Sequence, residues 1–333
     1  MLPAILSLSG PTPTPDECAL FADAAPAGYI LFGRNIVDPG QLRALTDDLR
    51  GLHDGDPLIL VDQEGGRVAR LAPPHWPDFP AARRFGELYD RAPISGMEAA
   101  RLGALASGIA LAHAGIDAAA APVLDLDLPG GDGIVGDRSF GSNPLAVGSL
   151  GRSVIEGLAE AGVAAVIKHM PGHGRAPCDS HRRLPVVTSD PQALADDLKP
   201  FAALSARARI GMVAHVVYRA WDDALPASLS PTIIADVIRG AIGFDGLLLS
   251  DDIGMDALSG PIDARAAQAL AAGCDLVLHC SGSLAESRAL AAALPPISDA
   301  ARGRLSRARP PRPDTLPDLA EIVGKRDALL AYA

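Results

Sequence analysis

Residues 164–174, with the sequence AAVIKHMPGHG, decide the fold of this chain. The first four are apolar in succession, which is typical of a strand covered on both faces, as in a parallel sheet. Lys168, His169 and His173 follow on a segment that Pro171 and Gly172 prevent from being a helix. Desolvating such side chains costs free energy unless they are paired, whereas catalysis needs several of them around one substrate. The stretch therefore predicts a parallel strand that ends in an active-site loop.

Seven further short apolar runs flank this strand, and helical stretches rich in Ala and Leu separate most of them. The predicted strands are residues 3–8, 28–32, 57–61, 116–124, 164–168, 210–214, 246–250 and 274–279. The predicted helices are residues 39–53, 98–114, 142–160, 191–206, 230–240 and 263–272, with Asp38, Asp190 and Ser230 as N-caps. Eight strands alternating with helices favour a single-domain (β/α)8 TIM barrel over a doubly wound sheet.

Polar residues follow the carboxyl ends of most predicted strands, and in (β/α)8 barrels the active site lies on that face. They are Arg34, Asn35, Asp62, Gln63, Glu64, Asp125, Asp127, Lys168, His169, His215, Asp251, Asp252 and His279. We expect these side chains to converge on one pocket. The connections 71–93 and 129–144 are predicted to rim that pocket as loops.

The rest of the chain is predicted to add no second domain. Residues 1–294 are assigned to the barrel, and residues 295–333 to a C-terminal tail whose short helix packs on or near it. The basic, Pro-rich part of this tail, from Arg302 to Arg312, is interpreted as a solvated linker. Three prolines between residues 11 and 15 are expected to interrupt any helix after the first strand.

The composition restricts the partners. A formal net charge of −11 disfavours nucleic acid, which would require a basic face. No apolar run reaches the roughly 18 residues of a membrane span, and residues 1–10 lack the basic segment of a secretory signal, so we expect a cytoplasmic monomer without a membrane partner. The four cysteines form no CxxC pair, and neither a disulfide framework nor a nucleophilic role for Cys178 is favoured.

Two groups of residues have the chemistry of a retaining glycosidase. Asp251 and Asp252 follow the strand 246–250, and because adjacent strand residues face opposite ways, only one can be the main reactant. Asp251 is predicted to be the nucleophile, whereas a helix cap or a salt bridge is an equally good interpretation of Asp252. His181 is predicted to be the general acid/base, since Asp179 can orient and polarise its imidazole.

A third group, DQEGGRVAR at residues 62–70, follows the third predicted strand. Its carboxylates and guanidinium groups can bind sugar hydroxyls, although Glu64 and Arg67 can also simply pair with each other. The GxGxxG pattern at residues 131–136 is not followed directly by a helix, so dinucleotide binding is disfavoured.

Two other functions remain open. In a metal-dependent hydrolase of the same fold, zinc would be bound by His169, His215, His279 and Asp251, although the sequence has no HxH pair after its first strand, where such sites commonly begin. In a catalytically inert sugar-binding protein the pocket would persist without turnover. The joint presence of the predicted nucleophile and acid/base disfavours this last interpretation.

The chain resembles the bacterial β-N-acetylglucosaminidases of glycoside hydrolase family 3, the single-domain type that works in cell-wall recycling. The resemblance runs from about residue 10 to residue 278. It rests on DQEGGRVAR at 62–70, GDRSFG at 136–141, KHMPGHG at 168–174 with DSH at 179–181, and SDD at 250–252 with Met255. Met170 stands where this family usually has Phe, and Ile253-Gly254 where Leu-Ser is expected, but neither change removes a reacting atom.

The resemblance implies a function and a role for each site residue. A retaining exo-enzyme would remove terminal N-acetylglucosamine from peptidoglycan fragments through a covalent intermediate on Asp251, with His181, oriented by Asp179, as acid/base. The residues that would hold the sugar are Asp62, Arg70, Arg138, Lys168 and His169. The partner would be a small carbohydrate, and no cofactor or metal ion would take part.

Overall fold

A computed structural model describes residues 1–131 and 133–332 and contains a closed barrel of eight parallel strands. They are β1 Leu2–Leu6, β2 Pro26–Leu31, β3 Leu58–Val61, β4 Ala118–Ala119, β5 Ala164–Met170, β6 Ile210–Val213, β7 Leu247–Asp252 and β8 Leu276–His279. Each strand pairs with the next along the chain, and β8 closes the barrel on β1. Every strand overlaps a predicted one, so the (β/α)8 barrel is confirmed.

One strand is much shorter than predicted. β4 has two residues, where the sequence predicts a strand over residues 116–124. Pro122 has no N–H and cannot donate to a ladder, and pairing with β5 resumes only as a single bridge between Val123 and Lys168. The chain is thereby released from the sheet just before Asp125.

The helices lie between and after the strands. They are α1 Pro15–Ala24, α2 Pro39–Gly51, α3 Ala82–Arg91, α4 Pro93–His113, α5 Pro144–Glu160, α6 Pro191–Leu204, a π-helix Ile233–Ala241, α7 Ile262–Ala272, α8 Leu284–Ala293, α9 Asp299–Ser306 and α10 Leu319–Leu330. The predicted caps are observed: Asp38, Asp190 and Ser230 accept the N–H groups of residues 41, 193 and 233. Within the described ranges, no helix is long and apolar enough to cross a membrane.

One expectation about a helix start is wrong, and one long connection contains a helix of its own. Helix α1 begins at Pro15, because proline is tolerated in the first turn, where its missing N–H would have no helical partner. Thr14 and Glu17 close a capping box around this start. Helix α3 occupies part of the connection 71–93, and its Phe85 and Leu88 are buried in the core.

The apolar core has two layers. Alternate residues of the strands, such as Leu60, Val166 and Leu249, form a cluster that includes no residue of helices α1 to α8 and therefore fills the barrel interior. The remaining strand residues pack with those helices in a larger outer cluster. Ile297 and Leu305 of the tail belong to the interior cluster.

The basic part of the tail is not a solvated linker. Arg304 pairs with Asp275 at 3.0 Å, and Arg309 and Arg312 pair with Asp117 at 3.3 and 2.7 Å. Both carboxylates are buried at the amino ends of strands, where an unpaired charge would be costly. These arginines, which the sequence predicted to be solvated, therefore neutralise the buried carboxylates at the amino end of the barrel.

Candidate active site

Strand alternation points three ionisable residues into the mouth of the barrel. In β3, β5 and β7 the last apolar residue on the interior face is Leu60, Val166 or Leu249. Because side chains alternate along a strand, the residue two positions later also faces inward. These residues are Asp62, Lys168 and Asp251.

Four of the five predicted sugar-binding residues lie in one ion-paired network around Glu64. Lys168 Nζ is 2.6 Å from Glu64 and 3.2 Å from Asp62. Arg138 donates to both oxygens of Glu64, at 2.7 and 2.8 Å. Arg70 pairs with the second carboxylate, Asp62, at 3.1 Å. The network places three cations and two anions at one end of the pocket.

These groups hold one another in the charged state. Burial alone would raise the pKa of Glu64, but Lys168 and Arg138 outweigh it and lower that pKa to about 2. Against its own burial, the pKa of Lys168 is raised by Glu64 and Asp62. The sequence suggested a pair between Glu64 and Arg67, which is wrong, because Arg67 pairs with Asp137 instead.

The GxGxxG segment serves this network. Its last glycine, Gly136, begins a short 3-10 turn that ends at Arg138, so the segment delivers the guanidinium group that binds Glu64. Asp132 of this motif lies outside the described residues.

His169, the fifth predicted sugar-binding residue, is oriented by Asp125, which the sequence placed at a strand end without a specific partner. Its Nδ1 is 2.6 Å from Asp125 Oδ2. The other oxygen of Asp125 accepts the backbone N–H groups of His169 and His173, at 3.2 and 2.7 Å. Although burial opposes it, the two histidines lower the pKa of Asp125, so this buried carboxylate is ionised. Asp125 thereby fixes both ends of the segment 169–173.

Asp251 and Asp252 have different surroundings, as the strand geometry predicts. Asp251 Oδ1 accepts the N–H of Asp252 at 2.8 Å. Burial would raise the pKa of Asp251, but His169 and His215 lower it below the ordinary value, so Asp251 is ionised at neutral pH. Asp252 accepts the N–H groups of Gly254 and Cys280, and burial raises its pKa. Asp252 therefore stabilises the turn after β7 and does not cap a helix, since the next helix begins only at Ile262.

The four residues named as zinc ligands do not form a coordination site. His215 uses both ring nitrogens, with Nδ1 2.6 Å from Ser228 Oγ and Nε2 2.9 Å from the carbonyl oxygen of Asp252. His279 Nε2 is 3.0 Å from Glu286. Within residues 1–131 and 133–332, no group of three His, Cys, Asp or Glu side chains is placed to hold a metal ion.

The predicted acid/base lies on the loop after β5. Asp179 Oδ1 accepts the backbone N–H of His181 at 2.9 Å and lies 2.7 Å from its Nδ1. With Nδ1 as donor, Nε2 is the nitrogen that can exchange a proton with a ligand. The side chain of His181 is 62% exposed, yet its positive charge contributes to lowering the pKa of Asp251. The two predicted reactants thus share one electrostatic environment.

Residues 7–302 match the model of the glycosyl hydrolase family 3 N terminal domain. The chain belongs to glycosyl hydrolase family 3. Among its family 3 relatives, two proteins named Beta-hexosaminidase come from Aromatoleum aromaticum and Alkalilimnicola ehrlichii. The first is 38% identical over 94% of this chain and 89% of its own, and the second is 42% identical over 84% and 80%.

A solved family 3 structure has the same fold. NagZ from Neisseria gonorrhoeae, in complex with N-trifluoroacetyl-D-glucosamine, is 32% identical and superposes with a TM-score of 0.87. The match covers 99% of this chain and 96% of that one. Together with the family assignment, these relatives identify the chain as a family 3 glycosidase.

Proposed function

We propose that the chain is a retaining exo-β-N-acetylhexosaminidase that removes terminal, non-reducing N-acetylglucosamine. The observation that carries this proposal is the combination of a half-buried, ionised Asp251 with His181, whose Nδ1 is engaged by Asp179 and whose Nε2 can exchange a proton. The names of the relatives and the glucosamine derivative bound to the Neisseria gonorrhoeae protein support the choice of sugar.

The site residues divide between binding and reaction. Asp62, Arg70 and Lys168 form an ion-paired rim whose remaining lone pairs and N–H groups suit the hydroxyls of a pyranose. Arg138, which is held by Glu64, is also proposed to contact the sugar, and His169 presents the nitrogen that Asp125 does not use.

The reaction proceeds in two displacements at the anomeric carbon. First, a carboxylate oxygen of Asp251 forms a bond to that carbon while His181 Nε2 gives a proton to the departing glycosidic oxygen. Then neutral His181 removes a proton from water, whose oxygen replaces Asp251 on the sugar. His169, His215 and the backbone N–H of Asp252 outweigh the effect of burial and keep Asp251 ionised for the first step.

The decisive experiment is hydrolysis of p-nitrophenyl β-N-acetylglucosaminide by the purified protein, with and without EDTA, beside Asp251→Ala. We expect release that ignores EDTA and disappears in the variant. Loss of activity on chelation would favour a metal-dependent hydrolase. A folded wild type with no activity would favour a sugar-binding protein. Mass spectrometry of a slow turnover should detect one N-acetylglucosaminyl group on wild type only.

We further propose that the physiological substrates are peptidoglycan fragments released in cell-wall recycling, and that the protein acts as a cytoplasmic monomer. The four unpaired cysteines support a reducing compartment. Turnover of purified N-acetylglucosaminyl anhydromuropeptides at rates above those for chitin oligomers is the expected result. Sedimentation and cell fractionation test the other two parts.

A further inference from the structure

The acid/base loop, residues 171–181, is tied to helix α6 by one charged side chain. Arg175 Nε is 2.6 Å from Asp197 Oδ2, and Arg175 Nη2 donates to the carbonyl oxygen of Ala193 at 2.9 Å. Both acceptors belong to α6. The side chain of Asp197 is only 3% exposed, so this ion pair lies beneath the loop and not on its outer surface.

The start of the loop also rests directly on Asp197. Gly172 has a φ of +135°, and a Cβ at this position would lie 2.9 Å from Cβ of Asp197. Tyr218 donates its hydroxyl hydrogen to the carbonyl oxygen of Gly172 at 2.8 Å. Gly172 and Arg175 are therefore both held next to Asp197. They precede the catalytic dyad, Asp179 and His181, by at least four residues.

Among the described residues, few other contacts hold Asp179 and His181 in place. His181 bonds only to Asp179 of the same loop among the described residues, and 62% of its side chain is exposed. One internal tie, between His173 Nε2 and Ser180 Oγ at 3.1 Å, links the two halves of the loop. Where His181 stands relative to Asp251 is thus set by how the loop as a whole is held.

We propose that Arg175 and Asp197 are positioning residues for catalysis: their ion pair holds the loop in the conformation in which Asp179 presents His181 to the glycosidic oxygen. Neither side chain contacts the sugar or the reacting atoms. The inference rests on the proposed role of His181. It predicts that breaking the pair acts as a partial loss of the general acid, without affecting the Asp62 and Lys168 rim that binds the sugar.

Cys178 provides a readout of loop position that does not require activity. Its thiol lies in the loop between Arg175 and Asp179 and is buried. Modification by a thiol reagent, followed by peptide mass spectrometry, measures how often the loop lifts. We expect R175Q and D197N to speed the modification of Cys178 at least tenfold, with Cys274 of the core as an internal reference.

Helix α6 offers a matched control. Lys199 pairs with Asp196 on the exposed face of the same helix, so K199Q removes an α6 ion pair that does not touch the loop. We expect wild-type labelling and activity from K199Q. R175K, which keeps the cation but loses the second donor, should recover part of the effect.

Enzyme kinetics provide the second test of the proposal. In R175Q and D197N, kcat for substrates with poor alkyl leaving groups should fall about 10- to 100-fold, a part of the roughly 10²- to 10⁴-fold that general acid catalysis contributes. kcat/KM for a dinitrophenyl glycoside, which reports the first step and needs no proton donor, should change less than threefold.

Unchanged Cys178 labelling together with an equal loss on both substrates would overturn the proposal. If R175Q does not fold, D197N and R175K carry the test, since Asn preserves the shape of Asp. If wild type cleaves no glycoside, the proposed function fails, while the labelling arm still decides whether this pair holds the loop.

Discussion

Glu64 touches no substrate in the proposed reaction, yet it neutralises two cations in the wall of the pocket. Its pKa falls from 4.5 to about 2, which corresponds to about 3 kcal/mol of folding free energy at neutral pH. Because the folded-state pKa is depressed, this stability is present above about pH 4.5 and is lost as the pH falls toward 2. Glu64→Gln would leave Lys168 and Arg138 without their shared anion.

We therefore expect Glu64→Gln to lower the unfolding free energy by about 3 kcal/mol at pH 7, with a smaller deficit as the pH approaches 3. Urea denaturation at several pH values measures this. The control is Glu87→Gln, which removes an exposed pair at 3.9 Å and should cost less than about 0.5 kcal/mol. Equal deficits in the two variants would contradict the role given to Glu64.

His181 makes a separate prediction from its own chemistry. His181→Ala should slow substrates with poor leaving groups by about 10²- to 10⁴-fold, because their glycosidic oxygen must be protonated as it departs. Dinitrophenyl glycosides need no such proton and should react at near wild-type rates in the first step. Steady-state and burst kinetics on both substrates measure the difference, and an equal loss on both would exclude His181 as the acid.

At the scale of residues, the sequence predicts the pairs whose members lie close together in the chain. Asp179 and His181 are two residues apart, and the opposite facings of Asp251 and Asp252 follow from strand alternation alone. The partnership of Glu64 with Arg138 spans 74 residues, and that of Asp125 with His169 spans 44. Neither pair has a local signal, because closure of the barrel is what brings them together.

Asp197 links helix α6 to the acid/base loop, and its carboxyl group titrates near pH 6. Burial raises the pKa of Asp197 to about 6, in spite of Arg175, and Asp125 adds to the rise. The hydroxyl of Tyr218 is the other titratable group that faces it. Above pH 6 the carboxylate is charged and the ion pair is complete, whereas below pH 6 a growing fraction is protonated.

D197N imitates the protonated form at every pH. The kcat advantage of wild type over D197N on a poor leaving group should therefore be full above about pH 7 and shrink as the pH falls from 7 to 5. Ratios of kcat for the two proteins at each pH cancel the titration of other groups. A ratio that stays constant across this interval would show that Asp197 does not carry the effect.

At the scale of elements, the alternation of apolar runs with helical stretches located all eight strands, and two wrong expectations fell at prolines. Pro15 reads as a helix breaker until its position in the first turn is known, and Thr14 with Glu17 is the local signal that identifies that position. Pro122 cut β4 to two residues, where the sequence shows one continuous apolar run.

The stability of the whole molecule depends on its C-terminal segment, although the composition of that segment predicts a solvated linker. We propose that residues 297–312 complete the barrel as a strap across its amino end. Asp117, buried and receiving Arg50, Arg309 and Arg312, anchors this strap. The anchor could not be read from the sequence, because Asp117 and Arg312 are 195 residues apart.

Replacing Arg309 and Arg312 together by Gln should lower the unfolding free energy by about 2 kcal/mol or more, since Asp117 keeps only Arg50 as a charged partner. Thermal and urea unfolding measure this. Arg302→Gln is the matched control, because Arg302 is exposed and forms no ion pair within the described part of the chain. A double variant as stable as that control would contradict the strap.

The closure of β1 on β8 also governs how this chain can be made. Leu6 pairs with His279, so the first strand leaves the ribosome long before its neighbour on one side has been translated. At roughly 5–20 residues per second, this interval lasts on the order of tens of seconds. Throughout it, β1 presents an open edge, and Asp117 lacks two of its arginines until the last segment emerges. Nascent chains of this protein therefore carry an unpaired strand edge, a site of mispairing with other chains, until translation reaches β8.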